Sequence, residues 1–329
     1  MRNVTKMKKG IAVAGTILVD KINEISAYPK AGELTKIHAV RLAVGGMVPN
    51  DGLDLIKMNP SLPVYAIGCV GADSDGEYVV KTLKDNGVHT DGVQIDTTEK
   101  TSFTAVMSII GGQRTFFTYA GASAKFGFDA FDWDNLPVKM LHLGYFLLLD
   151  RVDDGDGLKI LKKAKALGIK TSIDLVSENS NRYTLVRPCL EYVDNLIVNE
   201  TEAGALCGIQ PRQENLVDIV KKLKGYGVQE RVIVHTPDIG ICYDGKNLTT
   251  MASYCLPNGY IKGTTGAGDA FCSGALAGIY EEKSDEEILE MATVSATCSL
   301  RTADATSGIE TYEKMEEFCK QFKRKKLCL

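Results

Sequence analysis

Short apolar runs alternate with amphipathic segments along most of the 329-residue chain. Residues 11–19 form a β-branched run that reads as a buried strand and delivers Asp20 just past its end. Residues 34–44 alternate loosely through Leu34, Ile37, Ala39, Arg41 and Ala43, as a half-exposed strand does. Gly45, Gly46 and Asn50 then precede a helical pattern at Leu53, Ile56 and Met58. Residues 64–70 read as another buried strand, and residues 71–76, rich in Gly, Asp and Ser, cap the helix that follows. Strand patterns over 101–110 and 114–119 surround Gly111 and Gly112, a two-glycine hairpin signal.

A βα rhythm follows. It predicts a strand over 138–149, a helix over 157–167, a strand over 169–175 that contains Asp174, a strand over 196–198 ending at Asn199, a helix over 200–207 and a strand over 232–235. Such alternation predicts an α/β fold with a mostly parallel sheet covered by helices on both faces. Ligands of such sheets bind at the carboxyl ends of the strands, which makes Asp20 a candidate for a substrate hydroxyl. No repeat, low-complexity tract or composition break divides the chain, so a single domain over residues 1–329 is expected. The basic run over 320–326 reads as a solvated helix end.

The most specific chemistry lies in residues 262–271, Lys-Gly-Thr-Thr-Gly-Ala-Gly-Asp-Ala-Phe. Gly266, Ala267 and Gly268 let the backbone bend sharply and let ligand atoms approach its N–H groups. The small apolar residues 270–278 predict a buried helix, which places those amides at a helix N-terminus. Unsatisfied N–H groups there suit a phosphate or a developing phosphoryl oxyanion, and Asp269 is placed to accept a proton. A tight strand-to-helix turn with a capping carboxylate would use the same residues.

Composition narrows the partners. A net charge of -4 gives no electrostatic footprint for nucleic acid. Nine dispersed cysteines with no Cys-x-x-Cys pair suit buried thiols in a reducing cytoplasm and argue against zinc. Lys6, Lys8 and Lys9 before the apolar residues 10–19 imitate a signal peptide, yet Asp20, Lys21 and Glu24 follow at once and a first strand explains the run. No apolar run approaches a membrane span, so a cytoplasmic protein is expected.

The run from Thr264 to Phe271 resembles the C-terminal signature of the PfkB, or ribokinase-like, carbohydrate kinases. The resemblance implies a three-layer α/β/α fold with a small β-sheet lid, here at about residues 21–44 and 99–120. It makes Asp269 the catalytic base and Gly266, Ala267 and Gly268 the anion hole. Asp20 resembles the family's sugar-binding aspartate, and Gly45, Gly46 and Asn50 its Gly-Gly-x-x-x-Asn sugar motif. Residues 68–76 also resemble the family and read as scaffold. Asn199 and Glu202 match its Asn-x-x-Glu motif, which implies Mg²⁺ held by Glu202 through water, although the same pair suits a capping box. His235, Gly240 and Thr265 join Asn199, Glu202, Gly266 and Gly268 as expected nucleotide contacts.

Two departures stand out. Gly263 replaces an aspartate that helps to build a monovalent-cation site in many members, leaving potassium activation without its usual carboxylate. His235 and Pro237 replace the threonine and first glycine of Thr-x-Gly-x-x-Gly. The expected activity is ATP-dependent phosphorylation of a free, ribose- or fructose-like sugar, with a possible homodimer through the lid. A nucleoside kinase and a catalytically silent sugar-binding regulatory protein are the alternatives; a Rossmann dehydrogenase ranks below both, because no Gly-x-Gly-x-x-Gly follows the first strand.

Overall fold

The computed structural model describes residues 8–110, 113–178 and 180–327. The first part of the chain forms β1 (Ile11–Ala14), β2 (Leu18–Ile25), β3 (Ile37–Gly45), α1 (Met47–Met58), β4 (Val64–Gly71), α2 (Ser74–Asp85) and β5 (His89–Asp96). Next come β6 (Ser102–Ile109), β7 (Arg114–Tyr119), β8 (Met140–Phe146), α3 (Gly157–Ala166), β9 (Lys170–Leu175), β10 (Asn195–Asn199) and α4 (Glu200–Cys207). The remainder is α5 (Leu216–Gly225), β11 (Arg231–His235), β12 (Ile239–Tyr243), β13 (Leu248–Ala252), α6 (Ala267–Tyr280), α7 (Asp285–Ser299) and α8 (Tyr312–Cys319).

Nine strands build the large sheet in the order β13-β12-β11-β10-β9-β8-β1-β4-β5. The seven strands from β5 to β11 in that order run parallel, and β12 alone is reversed, pairing antiparallel with β11 and with the edge strand β13. The period-2 geometry of a strand explains how one apolar run serves two helical layers. Ala12 and Ala14 of β1 join a core with α3, α4 and α5, while Ile11 and Val13 join another with α1, α2, α6 and α7. Three layers result. A separate four-stranded sheet is ordered β3-β2-β6-β7. Its β2 pairs antiparallel with β3 and parallel with β6, and β6 pairs antiparallel with β7. Among the described residues, no helix is long and apolar enough to cross a membrane.

Three expectations change. The apolar run over 11–19 is two strands in two sheets. At Gly15, φ is +143° and a Cβ would lie 2.6 Å from the Gly144 carbonyl oxygen, so only glycine makes the bend. Asp20 therefore lies within β2, opposite Ala43. The strand predicted over 138–149 ends at Phe146, where left-handed Tyr145 (φ 57°) and Leu147 (φ 76°) turn the chain out of the sheet. The basic run over 320–326 lies beyond α8. Its Arg324 stacks on Tyr254 and pairs with Glu290, and Lys325 pairs with Asp238, which pins the segment to the molecule. The Gly111-Gly112 hairpin lies outside the described residues.

Candidate active site

The loop before α6 ends at Gly266, which adopts φ 79° and ψ 0°. A Cβ there would lie 2.4 Å from Ala305 Cβ, so a side chain would collide with the neighbouring loop. Glycine thus sets the first turn of α6, with Ala267, Gly268 and Asp269 as its first three residues. The Ala267 N–H donates to the Thr264 carbonyl, whereas those of Gly266 and Gly268 have no acceptor among the described residues. These two glycines line a cavity of about 200 Å³ together with Asp269, Tyr145, Asp174, Asn199, Glu202 and His235.

Asp269 is the best-organised group in that cavity. Asn50 Nδ2 donates to its Oδ2 at 2.7 Å, and the Tyr145 hydroxyl donates to Oδ1 and Oδ2 at 2.8 and 3.0 Å. Burial and the nearby Asp174 carboxylate hold the Asp269 carboxyl up at about 6, while the Asn50 and Tyr145 hydrogen bonds pull it down. Asn50 lies in the first turn of α1, a whole turn earlier than the predicted apolar pattern suggests. The same helix buries Asp51 and Asp54 completely. Burial and neighbouring carboxylates raise both acids well above the usual range. Sequence reasoning missed Asp51, Asp54, Tyr145 and His142. The available signal was two acids at i and i+3 inside an otherwise apolar helix.

Asp20 lies beside Gly45, where a Cβ would meet its Oδ2 at 2.6 Å. Gly46 turns the other way, against the Thr16 carbonyl, and serves as the N-cap of α1. Asp20 lines a small crevice next to the main cavity, shared with Ile22, Val106, Arg114, Phe116 and Thr265. Burial and the Asp269 charge push the Asp20 carboxyl up to about 7, against the Arg114 guanidinium. Thr265 faces this crevice, not the cavity of Asp269. Its hydroxyl accepts a 2.8 Å hydrogen bond from Arg114, which also donates to the Ala303 carbonyl. Arg114 thereby ties the small sheet to the loop before α6.

On the far side of the cavity, Asn199 and Glu202 form a complete capping box at the start of α4. Glu202 Oε1 also accepts from Ser177 Oγ and Asn199 Nδ2, both at 2.8 Å. Burial pushes the Glu202 carboxyl up to about 8. His235 stacks on Phe271 with ring centroids 4.6 Å apart, and burial lowers its pKa to about 4, so the ring is neutral near pH 7. Gly240 does not line the cavity: it pairs with His235 in the sheet, and a Cβ there would face Leu289 and Phe271. At Gly263, a Cβ would lie 3.1 Å from Ala303 Cα and from the Thr302 and Ala303 carbonyl oxygens, which leaves little room for a carboxylate.

The model of the pfkB family carbohydrate kinases matches residues 10–312. The chain belongs to that family. This pfkB member is 26% identical over 298 residues to the ribokinase of Arabidopsis thaliana, covering 90% of this chain and 77% of that protein. It is 26% identical over 320 residues to a probable chloroplastic fructokinase-6 of the same plant, covering 92% of this chain and 80% of that protein. Its fold matches the structure of Arabidopsis thaliana ribokinase complexed with ribose and ATP with a TM-score of 0.83. That match is 24% identical and covers 95% of this chain and 99% of the other.

Proposed function

We infer that this kinase transfers the γ-phosphoryl group of ATP to a hydroxyl of a free, ribose- or fructose-like sugar. The observation that carries the reading is the buried Asp269 carboxylate, oriented by Asn50 and Tyr145 beside the open N–H groups of Gly266 and Gly268. Asp269 accepts the hydroxyl proton, and the amides stabilise charge developing on the transferred phosphoryl oxygens. Asp20 and Asn50 hold the acceptor sugar, with Gly45 giving Asp20 its space and Gly46 starting the helix that carries Asn50. Asn199, Glu202 and His235 face the nucleotide side of the cavity.

Mg²⁺ fits the oxygen donors on that side, where Glu202 and Asn199 would hold it through water. When bound, it neutralises phosphate charge. The small sheet acts as a lid that excludes water from the acceptor. Among the described residues, Arg114, held by Thr265 and Ala303, is the one cation lining the Asp20 crevice, and Arg41 is an exposed partner of Glu24, so no basic cluster awaits a second anion there. That favours a free sugar over a sugar phosphate. A nucleoside is the second reading, supported by the apolar wall of Ile22, Val44, Val106 and Phe116 in the Asp20 crevice.

Coupled ADP release over pentoses, hexoses and nucleosides tests both readings. ADP release dependent on a free sugar supports the first, and preference for a nucleoside supports the second. Sugar binding in calorimetry without turnover would instead mark a silent binding protein. The pH profile gives a separate check. Because the Asp269 carboxyl sits near 6, kcat at saturating substrates falls as pH drops through that value, when the base becomes protonated. A flat profile between about 5 and 7 contradicts this role.

The strand register also supports a homodimer. It aligns Leu42, Lys21, Ala105 and Phe117 in one row of the small sheet, opposite the face that Ile22, Val106 and Phe116 turn to the crevice. Val40, Leu42 and Phe117 are exposed on that outer face, an apolar patch suited to a second copy. The Leu42→Asp/Phe117→Asp pair shifts a dimer to monomer in light scattering; a monomeric wild type overturns the inference.

A further inference from the structure

Behind the Asp269 carboxylate, α1, β8 and α6 bring three chemically different donors to one point. Asp51 Oδ2 lies 3.6 Å from His142 Nε2, and Cys272 Sγ also lies 3.6 Å from that nitrogen. All three donor atoms lie within 4.8 Å of one another, and all three residues are buried. Asp51 is 0% exposed, and its Oδ2 has no hydrogen-bond partner among the described residues. Its other oxygen accepts from Ser273 Oγ at 3.1 Å. The His142 ring is fixed from behind, because Nδ1 lies 2.9 Å from Ser172 Oγ, leaving Nε2 to face the carboxylate and the sulfur. The Cys272 thiol reaches Nε2 at an ordinary sulfur hydrogen-bond distance of 3.6 Å, whereas Asp51 Oδ2, also 3.6 Å away, is too far for an N–H···O bond.

A metal ion resolves the arrangement. Zinc-type bonds of about 2.0–2.2 Å to nitrogen or oxygen and about 2.3 Å to sulfur place the tetrahedral donors of a one-sulfur site roughly 3.3–3.7 Å apart. The two spacings at His142 Nε2 fall within that range. We propose that Asp51, His142 and Cys272 bind a thiophilic divalent cation of the zinc type, with its fourth position open to water from the Asp269 cavity. Cys272 and Asp174 both line that cavity, which gives the ion an entry path. Mixed carboxylate, imidazole and thiolate donors select such an ion over Mg²⁺. Loading displaces the Cys272 thiol proton and the proton that burial favours on Asp51, and both leave through the same cavity. The ion then joins α1, β8 and α6 one helical turn from Asp269. This site is separate from the proposed nucleotide-bound Mg²⁺, and no step of the phosphoryl transfer is routed through it.

The absence of Cys-x-x-Cys spacing hid the cluster, since His142 and Cys272 are 130 positions apart. The test reads metal directly, so it succeeds or fails whatever substrate the kinase uses. Co²⁺ is titrated into chelator-stripped, full-length protein in a thiol-free reductant, and the thiolate-to-cobalt charge-transfer absorption is followed. The expected result is one equivalent bound, an absorption that survives excess Mg²⁺, and its loss on addition of Zn²⁺. Cys272→Ser abolishes the absorption, while Cys255→Ser, at the exposed cysteine, keeps it. Ser172→Ala, which alters no ligand, weakens Co²⁺ binding by about 10- to 100-fold. Absence of the absorption in wild-type protein overturns the proposal, as does its persistence in folded Cys272→Ser or its loss in Cys255→Ser. Unchanged affinity in Ser172→Ala overturns the assignment of His142 as ligand.

Discussion

Asp269→Asn lowers kcat by about two to four orders of magnitude, or about 3–5 kcal/mol of barrier, while sugar and ATP still bind. An amide cannot take the acceptor proton, yet it fills the same volume and still accepts the Tyr145 hydroxyl bond. Asn50 presents Nδ2 to the carboxylate and has an unpartnered buried Oδ1. A flip of the Asn50 amide therefore gives the N–H₂ group of the introduced asparagine an acceptor. The variant also removes a carboxylate whose charged form burial opposes, so melting temperature is not lowered. Single-turnover kinetics with calorimetry separate the outcomes. Near-normal kcat defeats the base assignment, and loss of ATP or sugar binding shows that the residue acts in binding.

Elements whose burial alternates or runs uninterrupted were legible, because a pleated strand writes its environment into the sequence. Residues 64–70, 114–119 and 200–207 were placed to within a residue, since polar turns bound each run. The switch at Gly15 was not legible. Thr16 and Ile17 are as buried as the strands they connect, so hydropathy passes unbroken from one sheet into the other. Asp51 and Asp54 were hidden for the opposite reason. In a helix, acids normally mark the solvent side, and only the tertiary contact of α1 with α6 turns these inward.

The candidate site shows the same division. Local chemistry at Gly266–Asp269 was readable, because a left-handed glycine before a small-residue helix is a backbone requirement. The partners Asn50 and Tyr145 meet Asp269 across 219 and 124 positions, and no spacing rule reaches so far. Asn199 and Glu202 illustrate a third case. The pair supported two readings, and the structure forms the capping box while keeping both residues on the cavity wall.

Gly266→Ala produces the complementary outcome, losing stability as well as rate. The residue sits at φ 79°, where a side chain costs about 1–2 kcal/mol before any collision. The added methyl would lie 2.4 Å from Ala305 Cβ and 2.5 Å from Ala305 Cα. The second distance involves backbone, so a rotamer change cannot relieve it and the loop or the first turn of α6 must move. Either movement re-aims the Gly266 and Gly268 N–H groups. Loss of one such donor in a preorganised site lowers kcat by about 10²- to 10³-fold. Sugar affinity changes little, because Asp20 and Asn50 belong to β2 and α1. Thermal melting together with kcat and KM checks the prediction. Wild-type kcat with a lowered melting temperature would show that the turn is structural and that its amides do not meet the transferred phosphoryl group. A parallel fall in kcat and melting temperature with KM held ties the geometry of this one turn to the chemistry.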